Sequence, residues 1–433
     1  MNFLKKIFSP TILTISLLLL IYTFYKSEII WYGENRNYHK TYYIISSILI
    51  CLSIITFFIN DKIKEYLIIS GISLIVSLYL FEGYLIFKEQ LSKEQLYENQ
   101  TGNKYDKRTK FEIYKELKKN NNKITISYHP SYLIDKNYSN VPLPLSGLSN
   151  SETIFCNENG YYSIYQSDRY GFNNPDNEWD KKEIEYLLVG DSFTHGACVN
   201  RPNDISSVLR NISNKSVLNL GMGGNGPLTE FATLREYLDK NVKKVLWIYF
   251  EGNDLLDLKK EQKNDILIKY FKDLNFTQNL KFKQNDINNL LLNLIEEKAE
   301  KEREIFKFKL IKFIKIYNTR LLILQAPAPA PAPAPEFKQI LQLTKELVNK
   351  NNTKLYFVYL PQYSKYKKTY DNTNYNSVKE IVNELKIPFI DIHKEVFENE
   401  QNPLKLFPFE LPGHYNVDGY KKVAETIYKF TKN

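Results

Sequence analysis

Apolar and polar positions divide the chain into regions with different periods. Over residues 1–90, nearly uncharged apolar runs occupy Ile7 to Tyr25, Tyr42 to Ile59 and Tyr66 to Phe87. Each is close to the roughly 20 residues that cross a bilayer as a helix, so the pattern predicts three transmembrane helices forming a membrane anchor. Lys5 and Lys6 give the first run the basic start of a secretory leader, but no small-residue cleavage site follows it, which favours a retained span. Residues 91–123 are charged and helix-forming, a predicted stalk. Residues 124–180 alternate short Tyr- and Ile-rich runs with Pro and Gly, the pattern of short strands and loops, and form a β-rich lead-in.

Residues 181–433 change rhythm again. Predicted strands at Tyr186 to Gly190, Ser216 to Leu220, Lys244 to Phe250, Lys354 to Leu360 and Pro388 to Ile392 alternate with amphipathic helices at Leu228 to Leu238, Phe337 to Lys350, Ser377 to Leu385 and after Asn416. Continuous apolar strands separated by amphipathic helices imply an α/β domain with a parallel sheet covered on both faces. A Lys-, Asn- and Leu-rich helical insertion, 255–325, interrupts the alternation. It is followed at 326–335 by five Ala-Pro repeats, predicted as a polyproline II strut, with an SH3-type ligand as the other reading.

Composition narrows the function classes. The net charge of +9, from 58 basic and 49 acidic residues, is carried mostly by Lys scattered along helical faces, with no basic motif, so no nucleic-acid partner is expected. Cys51 falls in an apolar span. Cys156 and Cys198 lack metal-ligand spacing and imply neither a metal site nor a disulfide framework, which leaves the redox compartment open. No cofactor motif is present: the glycine-rich Gly221-Met-Gly-Gly-Asn-Gly226 has neither a Lys-Ser/Thr sequel nor a full Gly-x-Gly-x-x-Gly register.

Four stretches carry candidate chemistry, each where a predicted strand empties into a loop or a loop leads into a helix. Gly190-Asp-Ser192 leaves a hydroxyl at a strand tip, where open parallel sheets bind ligands, although Asp or Ser there is also an ordinary helix cap. The glycine loop brings backbone N–H groups close to a ligand. Gly252-Asn-Asp254 offers the neutral amide of Asn253 to a developing oxyanion, or simply a turn. His414, in Pro412-Gly-His-Tyr-Asn-Val-Asp418, stands ahead of the closing helix, where an imidazole accepts a hydroxyl proton. A fifth stretch, Asp168-Arg-Tyr170, reads either as a pocket lining or as a turn held by Asp and Asn side chains.

In this order the four stretches resemble the SGNH, or GDSL, hydrolase superfamily over roughly Tyr186 to Lys432. The resemblance implies a flavodoxin-like three-layer α/β/α sandwich with Ser192 as nucleophile and His414 as base. It implies an oxyanion hole made by the Ser192 N–H, the Gly224 N–H and the Asn253 side chain. One position departs from the family pattern: where an Asp usually precedes the His by two or three residues, this chain has Leu411 and Pro412. Either a Ser-His dyad operates or a carboxylate from elsewhere orients the ring, with Glu410 and Asp391 as candidates.

The function expected from these residues is a membrane-anchored serine esterase acting on, or transferring, ester-linked acyl groups such as O-acetyl on a glycan or lipid. The other reading is a non-catalytic, membrane-anchored glycan-binding module on a decayed scaffold. Three spans put the two ends of the chain on opposite sides of the membrane. Short-loop positive charges slightly favour a cytoplasmic domain, whereas surface glycan substrates favour a periplasmic or extracellular one, which is the orientation expected here.

Overall fold

The computed structural model describes residues 2–31, 33, 36–134, 142–238, 241–300, 310–323, 331–366, 370 and 372–432. By compactness the chain forms two units, Met1–Leu91 with Arg303–Pro331, and Ser92–Glu302 with Ala332–Asn433.

In the first unit, helices α1 (Asn2–Phe24), α2 (Arg36–Ile55) and α3 (Asp61–Thr101) contain the three apolar runs and are long and apolar enough to cross a membrane. α1 and α2 pack along a seam that follows a seven-residue repeat. Ser9, Ser16 and Thr23 are buried on one helix, and His39, Ser46 and Ser53 on the other. Small side chains let helix backbones approach closely where lipid-like surroundings give no hydrophobic drive to associate. Their hydroxyls bond within the chain: Ser16 to the Ile12 carbonyl, Thr23 to Leu19, Ser46 to Tyr42, and Ser9 across to the Thr56 carbonyl at 2.9 Å.

The second unit opens with α4 (Lys110–Lys118), begun by a capping box between Thr109 and Glu112. A three-stranded sheet follows, of β1 (Ile124–Ile126), β2 (Glu152–Ile154) and β3 (Ile164–Gln166), with β2 parallel to β1 and antiparallel to β3. Then comes the α/β core: β4 (Ile184–Gly190), α5 (Ser192–His195), α6 (Ile205–Ser213), β5 (Val217–Asn219), α7 (Pro227–Tyr237) and β6 (Val242–Phe250). Helices α8 (Asp254–Glu261), α9 (Asp265–Lys272), α10 (Gln284–Glu300) and α11 (Tyr317–Ile323), with a further helical stretch at 310–314, lie in the described part of the predicted insertion. The core resumes with α12 (Pro335–Lys350), β7 (Lys354–Leu360), α13 (Thr373–Glu384), β8 (Phe389–Asp391) and α14 (Val417–Thr431). Of the Ala-Pro stretch, 326–330 lies outside the described residues, 331–334 has no regular element, and Pro335 takes the first position of α12.

The five core strands are parallel in the order β5-β4-β6-β7-β8, the flavodoxin-like order. Alternate strand residues face opposite layers. Leu187, Val189, Val245, Trp247 and Phe357 join a core with Phe231 of α7, Ile340 of α12 and Val378 of α13. Leu188, Leu246, Ile248 and Val358 join another with Leu209 of α6 and Val423 of α14. The three-layer α/β/α fold expected from the alternation is therefore present. The chain leaves β4 for the edge strand β5 and returns to β6, so the crevice at this reversal lies at the carboxyl ends of these strands.

Candidate active site

Ser192 follows β4 at that reversal. Gly190 is required there because a Cβ would stand 2.0 Å from Thr194 Oγ1. Asp191 caps α5 by accepting the Phe193 N–H at 2.9 Å, which fixes Ser192 in the first helical position. His414, two residues before Asn416, the N-cap of α14, brings its Nε2 to 2.8 Å from Ser192 Oγ. The Phe193 ring stacks on Phe250 with centroids 4.0 Å apart and packs against the His414 ring at 4.7 Å, giving the imidazole an aromatic floor.

Glu158, in the loop between β2 and β3, meets the other side of the imidazole. Its Oε1 stands 3.0 Å from His414 Nδ1, and its Oε2 accepts the His414 backbone N–H at 2.6 Å. One carboxylate thus holds ring and backbone together. A proton on Nδ1 pointing at Glu158 leaves the Nε2 lone pair facing Ser192. Gly413 makes room for this contact, since a Cβ there would come within 2.7 Å of Glu158 Oε2. Burial pushes the His414 pKa down, but the charge of Glu158, its hydrogen bond and the charge of Asp191 outweigh burial and leave it raised. Burial pushes Glu158 up, and the charge and hydrogen bonds of His414 overcome that and hold it below the usual carboxylate range. With side chains 23% and 31% exposed, the pair is open enough for solvent to weaken its attraction.

Neither acid expected from the sequence reaches the ring. Asp391 caps the helical turn Ile392–Glu395, accepts a hydrogen bond from the Tyr375 hydroxyl at 2.6 Å and pairs with Lys379. Glu410 accepts a hydrogen bond from Asn402 Nδ2 at 3.2 Å. Glu158 lies 256 residues from His414 and carries no motif of its own, so only the tertiary fold brings it in. The loop is held by a disulfide the spacing did not announce. Cys156 and Cys198 are bonded with Cα atoms 4.9 Å apart, and Asn159 Nδ2 donates to the Cys198 carbonyl at 2.9 Å.

Among the described residues, the backbone N–H groups of Ser192 and Gly224 have no acceptor in the chain, as oxyanion donors require. Gly224 has φ +73°, and a Cβ there would stand 2.4 Å from Ser131 Oγ; one at Gly223 would stand 2.5 Å from His129. The lead-in therefore packs directly on the glycine loop. Asn253 donates one amide hydrogen to Asp257 Oδ2 at 2.7 Å, which orients the amide and leaves its second hydrogen for another acceptor. The acids behind the loop are held toward their neutral forms by burial. Asp191 is pushed up to about 6 and Glu261 to about 7, and Glu230 and Asp254 are raised well above the usual carboxylate range.

Asp168, Arg169 and Tyr170 form a turn, the second of the two readings. The buried Asp168 carboxylate accepts from the Tyr170 and Phe172 N–H groups, Asn174 Nδ2 and Trp179 Nε1, at 2.7 to 2.9 Å. Arg169 is held by Asp176 and Asp180, and Tyr170 packs edge-on against Trp179.

The profile of GDSL-like lipases and acylhydrolases matches residues 186–427, more than half of the chain. The chain belongs to this family. Two solved structures, each 14% identical, each cover 57% of this GDSL chain over 99% of their own length. One is a protein of the G-D-S-L family from Desulfitobacterium hafniense DCB-2, with a TM-score of 0.33, and the other the acetyl xylan esterase AlAXEase, with 0.32. A search of curated proteins finds no match. The matched span begins after Glu158, so the residue that meets His414 Nδ1 comes from outside the family region of this GDSL hydrolase.

Proposed function

We propose that this GDSL hydrolase is a membrane-anchored serine esterase with a Ser192-His414-Glu158 triad. The observation that carries the reading is the unbroken chain from Ser192 Oγ through both imidazole nitrogens to Glu158. In acylation, Ser192 Oγ bonds to the ester carbonyl carbon as Nε2 of His414 takes its proton. The oxyanion formed would be met by the Ser192 and Gly224 N–H groups and the second Asn253 amide hydrogen. The C–O bond to the alcohol then breaks, and the alcohol leaves with the proton from His414. Water, deprotonated by His414, attacks the acyl-enzyme, and the carboxylic acid departs as Ser192 recovers its proton. A sugar hydroxyl in place of that water would give acyl transfer by the same steps.

The substrate class in this reading is an acylated glycan or lipid, such as an O-acetyl ester, at the outer face of the membrane. Three apolar helices support a membrane location. The Cys156–Cys198 disulfide supports a periplasmic or extracellular catalytic unit, because disulfides persist in oxidising compartments.

A fluorophosphonate probe tests the nucleophile. Wild-type chain should be labelled and Ser192→Ala should not; equal labelling of the two would remove Ser192 from the role. Folded wild type that resists the probe would favour the glycan-binding module.

A further inference from the structure

The insertion contains a segment that the esterase reading does not use. Residues 310–323, Leu-Ile-Lys-Phe-Ile-Lys-Ile-Tyr-Asn-Thr-Arg-Leu-Leu-Ile, are helical over 310–314 and again in α11. They belong to the compact unit of the apolar helices, not to the catalytic one.

The anchoring contact is Glu82 of α3, a carboxylate with no exposed surface inside an otherwise uncharged apolar run. Its oxygens accept the backbone N–H groups of Asn318 at 3.0 Å and Thr319 at 2.8 Å, and the Thr319 hydroxyl at 2.8 Å. One turn earlier on α3, the Tyr79 hydroxyl donates to the Ile314 carbonyl at 2.9 Å, and the Tyr79 ring packs on Phe313. An acid inside an apolar span is costly unless it finds partners, and here the partners are backbone groups of a segment more than 230 residues away in sequence.

The depth of these contacts follows from helix geometry. The apolar run of α3 ends at Phe87, followed by Lys88 and Glu89. At about 1.5 Å per residue, Glu82 lies roughly 7 Å and Tyr79 roughly 12 Å inside that end. Amphipathic helices that lie in a membrane interface sit about 5–10 Å into the boundary between headgroups and acyl chains, a range that includes the depth of Glu82 and ends just short of that of Tyr79. The face turned away from α3 suits that place. Leu322 is 67% and Ile314 55% exposed, Leu310, Ile311 and Leu321 are exposed beside them, and the exposed Lys312 and Lys315 are interspersed.

We infer that residues 310–323 form a fourth membrane-associated element, an interfacial helical segment whose apolar face is covered by lipid and whose basic side chains reach the headgroups. This rests on the reading of α1 to α3 as membrane-spanning. It makes the insertion a second tether, so that the catalytic sequence is held to the bilayer both before Ser92 and between Glu302 and Ala332. The partner is the bilayer, because the face continues the lipid-exposed surface of its own unit and carries basic groups suited to anionic headgroups.

The test uses the full chain with Cys51→Ala, reconstituted in phosphatidylcholine vesicles containing phosphatidylglycerol. An environment-sensitive fluorophore is placed in turn at Leu322→Cys, at Leu74→Cys in the middle of α3, and at Lys115→Cys on α4. The Leu322 probe should show blue-shifted emission, loss of iodide quenching relative to Lys115, and strongest quenching by lipids spin-labelled near the headgroup. The Leu74 probe should be quenched best by lipids labelled deep in the acyl chain; if it is not, the spanning reading itself fails. With Leu74 behaving as expected, iodide quenching at Leu322 equal to that at Lys115 overturns the inference. Protection of Leu322 from both iodide and lipid quenchers also overturns it, by showing that protein, such as a second copy of the chain, covers the face. Glu82→Ala in the Leu322 background should restore iodide access, because the Asn318 and Thr319 N–H groups lose their acceptor.

Discussion

Replacing Glu158 with Gln tests the acid with almost no change of volume. The wild-type carboxylate accepts from His414 twice, from Nδ1–H at 3.0 Å and from the backbone N–H at 2.6 Å. A glutamine has one oxygen and one NH2 at these two places. The backbone N–H is fixed as a donor, so it takes the oxygen, and the NH2 then faces Nδ1. The imidazole satisfies that donor only by placing its own proton on Nε2, where it confronts Ser192 Oγ and can no longer accept from it. A wrong tautomer of this kind lowers kcat by about 10⁴-fold in serine proteases, and at 1.36 kcal/mol per decade the same effect here would be about 5 kcal/mol of transition-state stabilisation. Glu158→Ala leaves the tautomer free and should lose less than Glu158→Gln, an order that a purely structural role would not produce. The assay is hydrolysis of p-nitrophenyl acetate across pH. Glu158 raises the His414 pKa, so Glu158→Ala should move the acid limb of kcat/KM to lower pH. Activity of Glu158→Gln within a few-fold of wild type, with an unmoved acid limb, would refute the reasoning. Glu410→Gln serves as the control and should leave both readouts unchanged.

Asn253→Ala should lose roughly 10²- to 10³-fold in kcat with little change in KM, the size expected for one oxyanion donor, and Asp257→Asn should show part of that loss by freeing the amide; a change confined to KM would contradict the assignment. Removing the disulfide with Cys156→Ser and Cys198→Ser should lower the unfolding free energy in denaturant titration by up to about 4 kcal/mol, from the loop of 42 residues it closes, and should lower kcat less than Glu158→Gln because Asn159 still holds the Cys198 carbonyl; undiminished stability would count against the bond. Glu261, raised by burial from 4.5 to about 7, favours folding most below pH 4.5, and that contribution should fade as pH rises through 7, by at most roughly 3 kcal/mol at about 1.36 kcal/mol per pH unit. Unfolding of wild type and Glu261→Gln between pH 4.5 and 7.5 measures it, and a stability difference that is constant with pH would show that Glu261 is ionised throughout.

The fold was legible wherever one period persisted. The strand Lys354–Leu360 agrees with its predicted limits, and the other core strands agree to within two residues, because runs such as Val-Leu-Trp-Ile-Tyr-Phe are buried on both faces of a parallel sheet. The proposed site residues Ser192, Gly224, Asn253 and His414 could be picked out because each sits in a short motif at the end of such an element. Glu158 was not, since Asn157-Glu-Asn-Gly160 reads as an ordinary turn and the ring it meets comes from the far end of the chain. Local signal also misled at Glu410 and Asp391, which are near His414 in sequence yet satisfied elsewhere. Glu82 stood visible as the lone charge in the third apolar run, and with it the seven-residue spacing of Ser9, Ser16 and Thr23. Neither names a partner until the helices are packed.

The origin of Glu158 in the lead-in separates the boundary of the fold from the boundary of the chemistry. The matched span 186–427 holds the proposed nucleophile, base and oxyanion donors, and a protein cut to it would keep most of the five-stranded sheet while its imidazole lost the carboxylate at Nδ1. Its basicity is raised by Glu158 from the preceding stretch, which also packs on the glycine loop through His129 and Ser131. Changes confined to that stretch, at Glu158, His129 and Ser131, would therefore retune the strength of the proposed base and reshape the surroundings of the glycine loop with every residue of the matched span left untouched.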